Sequence, residues 1–463
     1  MASISCFIIS PTALLSFIAF LHGRDKTIPT PAEDWHKIVV DVVIPIQNEE
    51  KNIILSLASL ETQTLKPRRV IIVDDASTDK TYEYIKEYKS RVGLEIVIIH
   101  REKPEGKTAG LKLGTRESDA DVLFVLDGDT ILKSENYIER LVQELYQGVG
   151  IACACGIILP FMRNDRKSIL DSPIVKKFSE KHPETQENIS THWFKRLQET
   201  ITSLYREELY LFLQRFIYHA QMIFFGSIIN PVGCAAAYRR KYLKSVFDQY
   251  ETFLGNNLTT SEDIFIGFSF ADYGYRNIQI EGVYALTQEP PLLELPGQIF
   301  KWSSAIFQSC YYFGSLFLTP FKVFNCLLRW FRKKRNPESK KIEEMRKIKE
   351  AYRQSFGVEH TKKYGRPIGW YIFFAVFEKV AFPVVIFVMI FLKLWEPLLL
   401  TLGAEVLLYS VVIAVAHKNH RVKNFIKSIF LMPVRYTVLI YDVVVFFNFL
   451  KDLLFVKNKN WKK

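Results

Sequence analysis

The C-terminal third of the sequence contains apolar segments that are too long for an ordinary soluble domain. They run from about Ala305 to Leu328, Trp370 to Leu394, Pro397 to Ala416 and Phe425 to Leu450. Because about 20 apolar residues cross a bilayer as a helix, we predict an interfacial or transmembrane helix over residues 303–330. Residues 367–456 predict transmembrane or interfacial helices, and a charged cytosolic linker over residues 331–366 separates the two regions.

The two middle segments predict a transmembrane hairpin, because only Trp395 and Glu396 lie between them. The last segment is interrupted by Pro433, Arg435 and Asp442. It is therefore compatible with a membrane span, with an interfacial position or with a chain that folds back.

The net charge of +12 is concentrated in basic runs beside the apolar segments, at Arg332–Arg335, His417–Lys423 and Lys457–Lys463. Such runs are typical of the cytosolic ends of membrane helices and attract anionic lipids. We therefore expect membrane lipids, and no nucleic acid, as partners. Residues 1–24, with an apolar stretch from Ile4 to Leu21, predict an N-terminal membrane anchor. A cleaved signal peptide is the alternative, although the basic residues that open such a peptide are missing.

Residues 39–302 predict a cytosolic α/β domain. From Val39 to about Gly156, short β-branched runs alternate with helix-like segments, which is typical of βαβ units. Strands that are apolar on both faces pair in parallel, and the ligand crevice of such an open sheet lies at the carboxyl ends of its strands. The stretch from Arg163 to Glu199 is polar and irregular, and a helix follows over about Leu204 to Phe225.

Two acidic motifs directly follow predicted strands. Asp74 and Asp75 begin the sequence DDASTD, where they can accept hydrogen bonds from a nucleotide base or ribose, or form an Asx turn and a helix cap. Asp127 and Asp129 flank Gly128. Two carboxylates at alternate positions suit Mg²⁺ or Mn²⁺ that bridges a diphosphate, and the glycine lets the backbone approach a ligand.

Three further elements carry polar or charged residues. Lys107 lies in a GKT sequence that lacks the upstream glycine of a P-loop, so it predicts a phosphate contact or a solvated lysine, and not an NTPase. Asp263 lies in SED at the start of an apolar helix, as either a cap or a general base. Gln298, Lys301 and Trp302 belong to QIFKW at the membrane boundary, where tryptophan and lysine are also common anchors.

The order of these motifs resembles that of the family-2 glycosyltransferases. VIPIQNE at Val43–Glu49 is followed by DDASTD, GKTAGLKLG, DGD, NPVGCAAAYRR, SED and QIFKW. The similarity covers about Asp41 to Trp302, and it is greatest to the membrane-embedded synthases of hyaluronan, chitin, cellulose and the Nod-factor backbone. It implies a family-A glycosyltransferase fold, with an open, mostly parallel sheet that binds a nucleotide-sugar.

The resemblance also implies roles for the donor-side residues. Asp74 or Asp75 contacts the nucleotide base, Asp127 holds the donor, and Asp129 binds a divalent metal, Mg²⁺ or Mn²⁺, on its diphosphate. Asp263 matches the catalytic base of the family.

On the acceptor side, Gln298, Lys301 and Trp302 match the Q-x-x-R-W element, which helps to hold the nucleotide and the acceptor sugar. The segment Asn230 to Arg240 resembles the part of the family between the metal site and the base. The chain departs from the family by having Lys301 in place of arginine, and a lysine lacks the planar fork that suits a diphosphate. This departure weakens the case for processive synthesis.

The sequence therefore predicts an integral-membrane, inverting hexosyltransferase with a cytosolic catalytic domain. Its donor is a nucleotide-sugar, such as a UDP-sugar, and its acceptor is a growing polysaccharide or a lipid-linked molecule. One alternative is a non-processive transferase that makes a polyprenyl-phosphate sugar or a glycolipid. The other is a catalytically inactive membrane scaffold.

Overall fold

The computed structural model describes residues 10–22, 34–90, 93–147, 150–171, 173–185, 193–255, 258–335, 354–417 and 420–456. The predicted basic run Lys457–Lys463, residues 336–353 of the predicted linker, and residues 1–9 and 23–24 of the predicted anchor lie outside this description. An α/β region comes first along the chain, and long helices follow it.

An eight-stranded sheet forms the centre of the first region. Its strands are β1 (Val40–Ile46), β2 (Arg69–Asp74), β3 (Ile96–His100), β4 (Val122–Leu126), β5 (Thr130–Leu132), β6 (Ile151–Pro160), β7 (Ala235–Arg239) and β8 (Arg276–Thr287). They lie in the order β3-β2-β1-β4-β7-β6-β8-β5. The pairs of β1 with β2 and β4, β2 with β3, and β6 with β8 are parallel, whereas β7 and β5 pair antiparallel with their neighbours. The predicted α/β class with a mostly parallel sheet is confirmed.

The helices are α1 (Pro11–His22), α2 (Ile53–Glu61), α3 (Thr81–Lys89), α4 (Lys107–Glu117), α5 (Tyr137–Gln147), α6 (Arg163–Leu170), α7 (Pro173–Lys181), α8 (Trp193–Phe212), α9 (Tyr218–Phe225), α10 (Arg240–Leu254), α11 (Glu262–Tyr273), α12 (Leu295–Tyr312), α13 (Gly314–Phe317), α14 (Val323–Arg335), α15 (Gln354–Tyr364), α16 (Pro367–Phe391), α17 (Trp395–Ala416) and α18 (Arg421–Lys451). Helices α2, α3 and α5 pack on one face of the sheet, and α4, α10 and α11 pack on the other. The central strands are consequently buried on both faces, which explains their continuous apolar sequences.

Helix α4 lies unusually close to the sheet because it carries glycines where it crosses β1. A Cβ atom on Gly114 would lie 2.5 Å from Val43 Cγ1, and one on Gly110 would lie 3.3 Å from Pro45 Cβ. This close packing fixes the first residue of α4, Lys107, at the carboxyl ends of the strands.

The predicted irregular stretch from Arg163 to Glu199 is wrong, because it contains α6, α7 and the start of α8. Arg166 is buried, and its Nη1 donates to Asn52 Oδ1 at 2.9 Å while Nη2 donates to the Lys51 carbonyl at 2.7 Å. Phe178 of α7 is also buried. A polar sequence is therefore held by one arginine and a few apolar contacts, which no helical periodicity reveals.

In the described part of the chain, three helices are long and apolar enough to cross a membrane, namely α16, α17 and α18 with its extension to Phe455. Residues 392–394 separate α16 from α17, whereas Trp395 and Glu396, which were predicted to link the two segments, lie in the first turn of α17. Helix α18 is continuous through Pro433 and does not fold back. Helix α1 is a shorter apolar helix.

The predicted interfacial or transmembrane stretch over residues 303–330 is divided into several pieces. Helix α12 ends at Tyr312, α13 is a single short turn, and α14 begins at Val323. Helix α14 exposes Phe324, Trp330 and Phe331, so it presents an apolar surface.

Helix α12 joins the two regions of the molecule. Toward the sheet, Thr260 Oγ1 donates to the Lys301 carbonyl at 2.7 Å. Toward the membrane helices, Ser303 donates to the Asp442 carboxylate of α18, and the Phe307 ring lies 5.4 Å from that of Phe446. The QIFKW sequence therefore sits at the junction.

Candidate functional site

A cleft of about 200 Å³ opens at the carboxyl ends of β1, β2 and β4. It is lined by Pro45, Ile46, Gln47, Glu49, Val73, Asp75, Gly106, Lys107, Gly110, Asp127, Gly128 and Asp129. This is the edge at which open α/β sheets bind ligands. Four of the predicted site residues, Asp75, Lys107, Asp127 and Asp129, share this one cleft.

The two carboxylates of the DDASTD sequence have different surroundings. Asp74 Oδ1 accepts from the Ser77 amide at 3.1 Å, and Asp74 Oδ2 lies 2.7 Å from His100 Nδ1. Asp74 is fully buried and does not line the cleft, and its contacts hold the turn that follows β2. Asp75 lines the cleft, and its carboxylate accepts from Arg101 Nη1 at 2.9 Å and from the Gly106 amide at 2.7 Å.

The DGD turn is fixed by backbone contacts on two sides. The Asp127 amide donates to the Cys234 carbonyl at 2.9 Å, which ties the turn to the NPVGCAAAYRR segment. A Cβ atom on Gly128 would lie 2.7 Å from Ile46 Cγ2 and 3.1 Å from Glu49 Cγ. The glycine therefore allows the turn to pack against the end of β1, in addition to leaving room for a ligand.

Lys107 connects two motifs that are distant in sequence. Its Nζ lies 2.8 Å from the Asp127 carboxylate and 3.0 Å from Glu262 Oε1. Although burial acts against the charged form, the Asp127 and Glu262 carboxylates hold the pKa of Lys107 well above its ordinary value. The lysine is therefore a fixed cation between the DGD and SED sequences.

The carboxylates in the cleft outnumber the cation beside them. Burial, with the Asp127 and Glu49 charges, raises the pKa of Asp129 to about 8. Burial also raises the pKa of Glu49 to about 7, and the nearby Asp127 adds to this shift. Burial raises the pKa of Asp127 as well, although Lys107 opposes the effect. Such a cluster favours the arrival of a further positive charge.

The donor set fits a hard divalent ion that is bound together with a phosphate group. In the residues that the structure describes, no three His, Cys, Asp or Glu side chains converge as a complete metal cage. Mg²⁺ is usually held by one or two carboxylates together with substrate phosphates and water. Asp129, with Asp127 beside it in the cleft, provides such a partial site.

Asp263 is held in a fixed position at the start of α11. Its Oδ1 accepts from the Ile264 amide at 2.8 Å, and its Oδ2 lies 3.2 Å from the Gly233 amide. A Cβ atom on Gly233 would lie 2.5 Å from the Asp263 Cβ, so only glycine allows this approach. Burial and the adjacent Glu262 charge raise the pKa of Asp263.

The QIFKW residues lie on α12, outside the residues that line the cleft. Gln298 and Trp302 are half-buried, whereas the Lys301 side chain is exposed. Arg206 of α8 donates to Gln298 Oε1, and its guanidinium carbon lies 4.5 Å from the Trp302 ring centroid. The arginine that contacts this element therefore comes from another helix.

Sequence reasoning did not assign a role to Glu49, Glu262, Gly233 or Arg206. Glu49 and Glu262 belong to the VIPIQNE and SED sequences. Their positions within these motifs could therefore have identified them as site residues. Nothing in the sequence around Arg206 indicates its contact with α12.

A family model for glycosyl transferase family 2 matches residues 41–247, which include β1–β4, the DGD turn and β7. The chain carries a glycosyltransferase family 2 domain. The cleft residues Asp75, Lys107, Asp127 and Asp129 all lie within this domain, whereas Asp263 and the QIFKW sequence follow it.

The chain is similar to an N-acetylglucosaminyltransferase from Azorhizobium caulinodans, with 24% identity over 58% of this chain and 60% of that protein. It is also similar to an undecaprenyl-phosphate 4-deoxy-4-formamido-L-arabinose transferase from Pseudomonas aeruginosa, with 31% identity over 24% of this chain and 34% of that one. It thus spans less than two thirds of either relative.

Among solved structures, a mannosyltransferase from Pyrobaculum calidifontis in complex with GDP-Man and Mn²⁺ aligns with 96% of this chain and 95% of its own. The sequence identity is 15% and the TM-score is 0.45.

Proposed function

We propose that this protein is an integral-membrane, metal-dependent hexosyltransferase that moves a sugar from a nucleotide-sugar, such as a UDP-sugar, to a growing polysaccharide or a lipid-linked acceptor. One observation carries the proposal. Lys107 Nζ lies within 3.0 Å of Asp127 in the DGD sequence and of Glu262, the residue before Asp263 in the SED sequence, so this cleft lysine links the two motifs.

The donor side of the mechanism follows from the cleft residues. Asp75 lies where a carboxylate can accept hydrogen bonds from the nucleotide base or ribose. Lys107 offers its ammonium group to the diphosphate, and Asp127 orients that lysine and the donor. Asp129 is the residue that would hold the divalent ion, which stabilises the charge on the departing diphosphate.

The acceptor side requires a base, and the residue we propose for it is Asp263, which the Ile264 and Gly233 amides hold in place. Its raised pKa makes it a stronger proton acceptor than an exposed aspartate. It removes the proton from the acceptor hydroxyl as that oxygen bonds to the anomeric carbon. The bond from that carbon to the diphosphate oxygen breaks in the same step, so the configuration inverts and no sugar–enzyme intermediate forms.

The candidate membrane spans support a reaction at a bilayer surface. Helices α16, α17 and α18 are the candidate spans, and α12 bonds both to α18 and to the residue that precedes SED. An acceptor that emerges from or enters the membrane would therefore reach the base side of the cleft. We propose a cytosolic catalytic domain, because nucleotide-sugars are made there and the basic flanks favour that side.

A donor and acceptor screen on the full-length protein in detergent tests the function. UDP- and GDP-sugars are supplied with Mn²⁺, with and without undecaprenyl phosphate, and the products are analysed by mass spectrometry. Formation of a monosaccharide-lipid identifies the non-processive alternative, whereas a ladder of polymer masses identifies a polysaccharide synthase. If no donor is consumed under any condition, the catalytically inactive scaffold is the better description.

Cysteine labelling tests the orientation. Ser90→Cys introduces a thiol at an exposed position of the catalytic domain, and Glu396→Cys introduces one at the exposed hairpin turn. In intact cells, a membrane-impermeant reagent should label Glu396→Cys and spare Ser90→Cys until the cells are permeabilised, relative to the unsubstituted protein. Labelling of Ser90→Cys in intact cells would place the cleft away from its donor.

A further inference from the structure

A buried arginine lies beside the site without a role in the mechanism described so far. The Arg206 side chain has no exposed surface, and its Nε lies 3.2 Å from Glu289 Oε2. Its Nη2 donates to Gln298 Oε1, and Trp302 covers one face of the guanidinium at 4.5 Å. Arginine always carries its charge in proteins, so a full cation is buried next to α12.

The hydrogen bonds of this cation are incomplete. Arginine has five N–H donors, and Nη1 has no hydrogen-bond partner among the residues that the structure describes. Glu289 does not supply an acceptor for Nη1. Its Oε2 faces the Nε edge of the guanidinium, and its carboxylate is shared with Tyr210. A buried donor without an acceptor costs free energy, which makes a purely structural role a poor account of Arg206.

The position of this cation connects it to the reaction. Trp302 and Gln298 lie on the same helix as Lys301, whose carbonyl accepts a hydrogen bond from Thr260, next to the SED sequence. Lys301 itself is exposed. The buried guanidinium therefore lies next to the element that contacts the base side of the cleft.

We propose that Arg206 binds a phosphate oxygen, and that the Gln298 amide oxygen occupies this position in the absence of the phosphate. The planar fork of a guanidinium matches two phosphate oxygens. A charged oxygen forms a hydrogen bond about twice as strong as that of a neutral amide, and Gln298 is half-buried at the surface, so it can leave. This inference rests on the proposed function, because the phosphate belongs either to the donor diphosphate or to a lipid phosphate acceptor.

Substitutions of Gln298 separate a ligand site from a structural contact. Gln298→Glu places a permanent carboxylate on Arg206, so it should keep or raise the unfolding temperature while it weakens phosphate binding by about tenfold or more, the loss expected for a charge-assisted hydrogen bond. Gln298→Ala removes the amide oxygen from the Arg206 guanidinium. This variant should bind the phosphate at least as tightly as the wild type does. Arg206→Lys keeps the charge but loses the fork and should also weaken binding by about tenfold.

Binding is measured on the full-length protein in detergent with two kinds of probe, a nucleoside diphosphate and a lipid phosphate. UDP and GDP with Mn²⁺ report on the donor diphosphate, and undecaprenyl phosphate reports on the lipid source. The probe whose affinity falls in Gln298→Glu and Arg206→Lys identifies the source of the phosphate. Lys195→Gln, which removes an exposed cation from the same helix, is the matched control and should leave both affinities within about twofold.

The double variant Arg206→Met with Glu289→Gln removes the cation and its carboxylate together, so that neither buried charge is left unpaired. If it folds and binds both probes like the wild type, Arg206 is structural and the inference is wrong. Equal losses of phosphate affinity in Gln298→Ala and Gln298→Glu would also overturn the inference, because they would show that the Gln298 amide itself contacts the phosphate. A wild-type protein that binds neither probe would instead refute the proposed function, and the inference with it.

Discussion

The sheet region and the candidate membrane spans both bury charged side chains, but they balance these charges differently. In the cleft, Glu49, Asp127 and Asp129 crowd together, and burial, with repulsion from nearby carboxylates, raises their pKa values. Between the long helices, charges lie in matched pairs. Arg435 Nη2 donates to Glu405 Oε1 at 2.8 Å, and Lys379 Nζ lies 3.1 Å from Asp442 Oδ1.

This difference separates a binding site from an assembly contact. A surplus of one charge is relieved by protonation or by a ligand of the opposite charge, whereas a balanced pair is complete in itself. In lipid, where helices gain little from apolar contact alone, such polar pairs help to hold helices together. Removal of a cleft charge should therefore affect turnover, and removal of a membrane pair should affect stability.

The largest effect is expected for Asp129→Asn. A neutral amide is a poor substitute for an anionic ligand of a hard divalent metal, so turnover should be abolished while the protein still folds and inserts. Transfer is measured over a titration of Mg²⁺ and Mn²⁺. Undiminished turnover in the variant, or full wild-type activity in EDTA, would remove the metal from the mechanism.

Asp263→Asn should lower the catalytic rate by about two to four orders of magnitude, which is the usual contribution of a positioned general base. Donor affinity should change little, because the role proposed for Asp263 is on the acceptor hydroxyl. Calorimetry with UDP or GDP and turnover assays separate the two quantities. Lost nucleotide binding with unchanged chemistry would assign Asp263 to the donor site.

Glu405→Gln tests the charged pairs between the long helices. It leaves Arg435 without its carboxylate partner, so the free energy of unfolding should fall by about 1–3 kcal/mol. Turnover per folded molecule should stay close to that of the wild type. The double variant Glu405→Gln with Arg435→Met should recover part of the stability, and a loss of turnover without a loss of stability would contradict the assignment of this pair to assembly.

The last expected effect is on the pH dependence of stability in EDTA. Because the pKa of Asp129 is raised from 3.8 to about 8 in the folded protein, the folded state holds more protons than the unfolded state between these values. Stability should therefore fall as the pH rises from about 4 to about 8. Asp129→Asn should flatten this slope in thermal unfolding experiments, and Mn²⁺ should stabilise the wild type more at pH 8 than at pH 6. An equal slope in the variant would show that Asp129 ionises normally.

The first four strands could be predicted because they are apolar on both faces and lie between helices. Their carboxyl ends carry Asp74, Asp75, Asp127 and Asp129, so the location of the cleft also followed from the sequence. That Asp75 and not Asp74 lines the cleft could not be predicted, because both follow the same strand and only their hydrogen-bond partners distinguish them.

The rest of the sheet depends on contacts between distant residues. Strand β7 pairs antiparallel with β4 although α5 to α9 lie between them along the chain, and no local pattern records that pairing. The same holds for Arg206, whose partners on α12 are far away in sequence. The approach of Gly233 to Asp263 is likewise a tertiary contact that only the folded chain reveals.

The position of β7 between β4 and β6 has a consequence for the order of events during synthesis. Until Ala235–Arg239 has left the ribosome, β4 has β1 on one side and unpaired backbone groups on the other. An open strand edge of this kind is prone to pair with another chain, and long-range pairing of this type is slow. The nascent chain therefore carries its DGD turn on an unprotected edge, which closes only after helices α8 and α9 have been made and before the candidate membrane spans emerge.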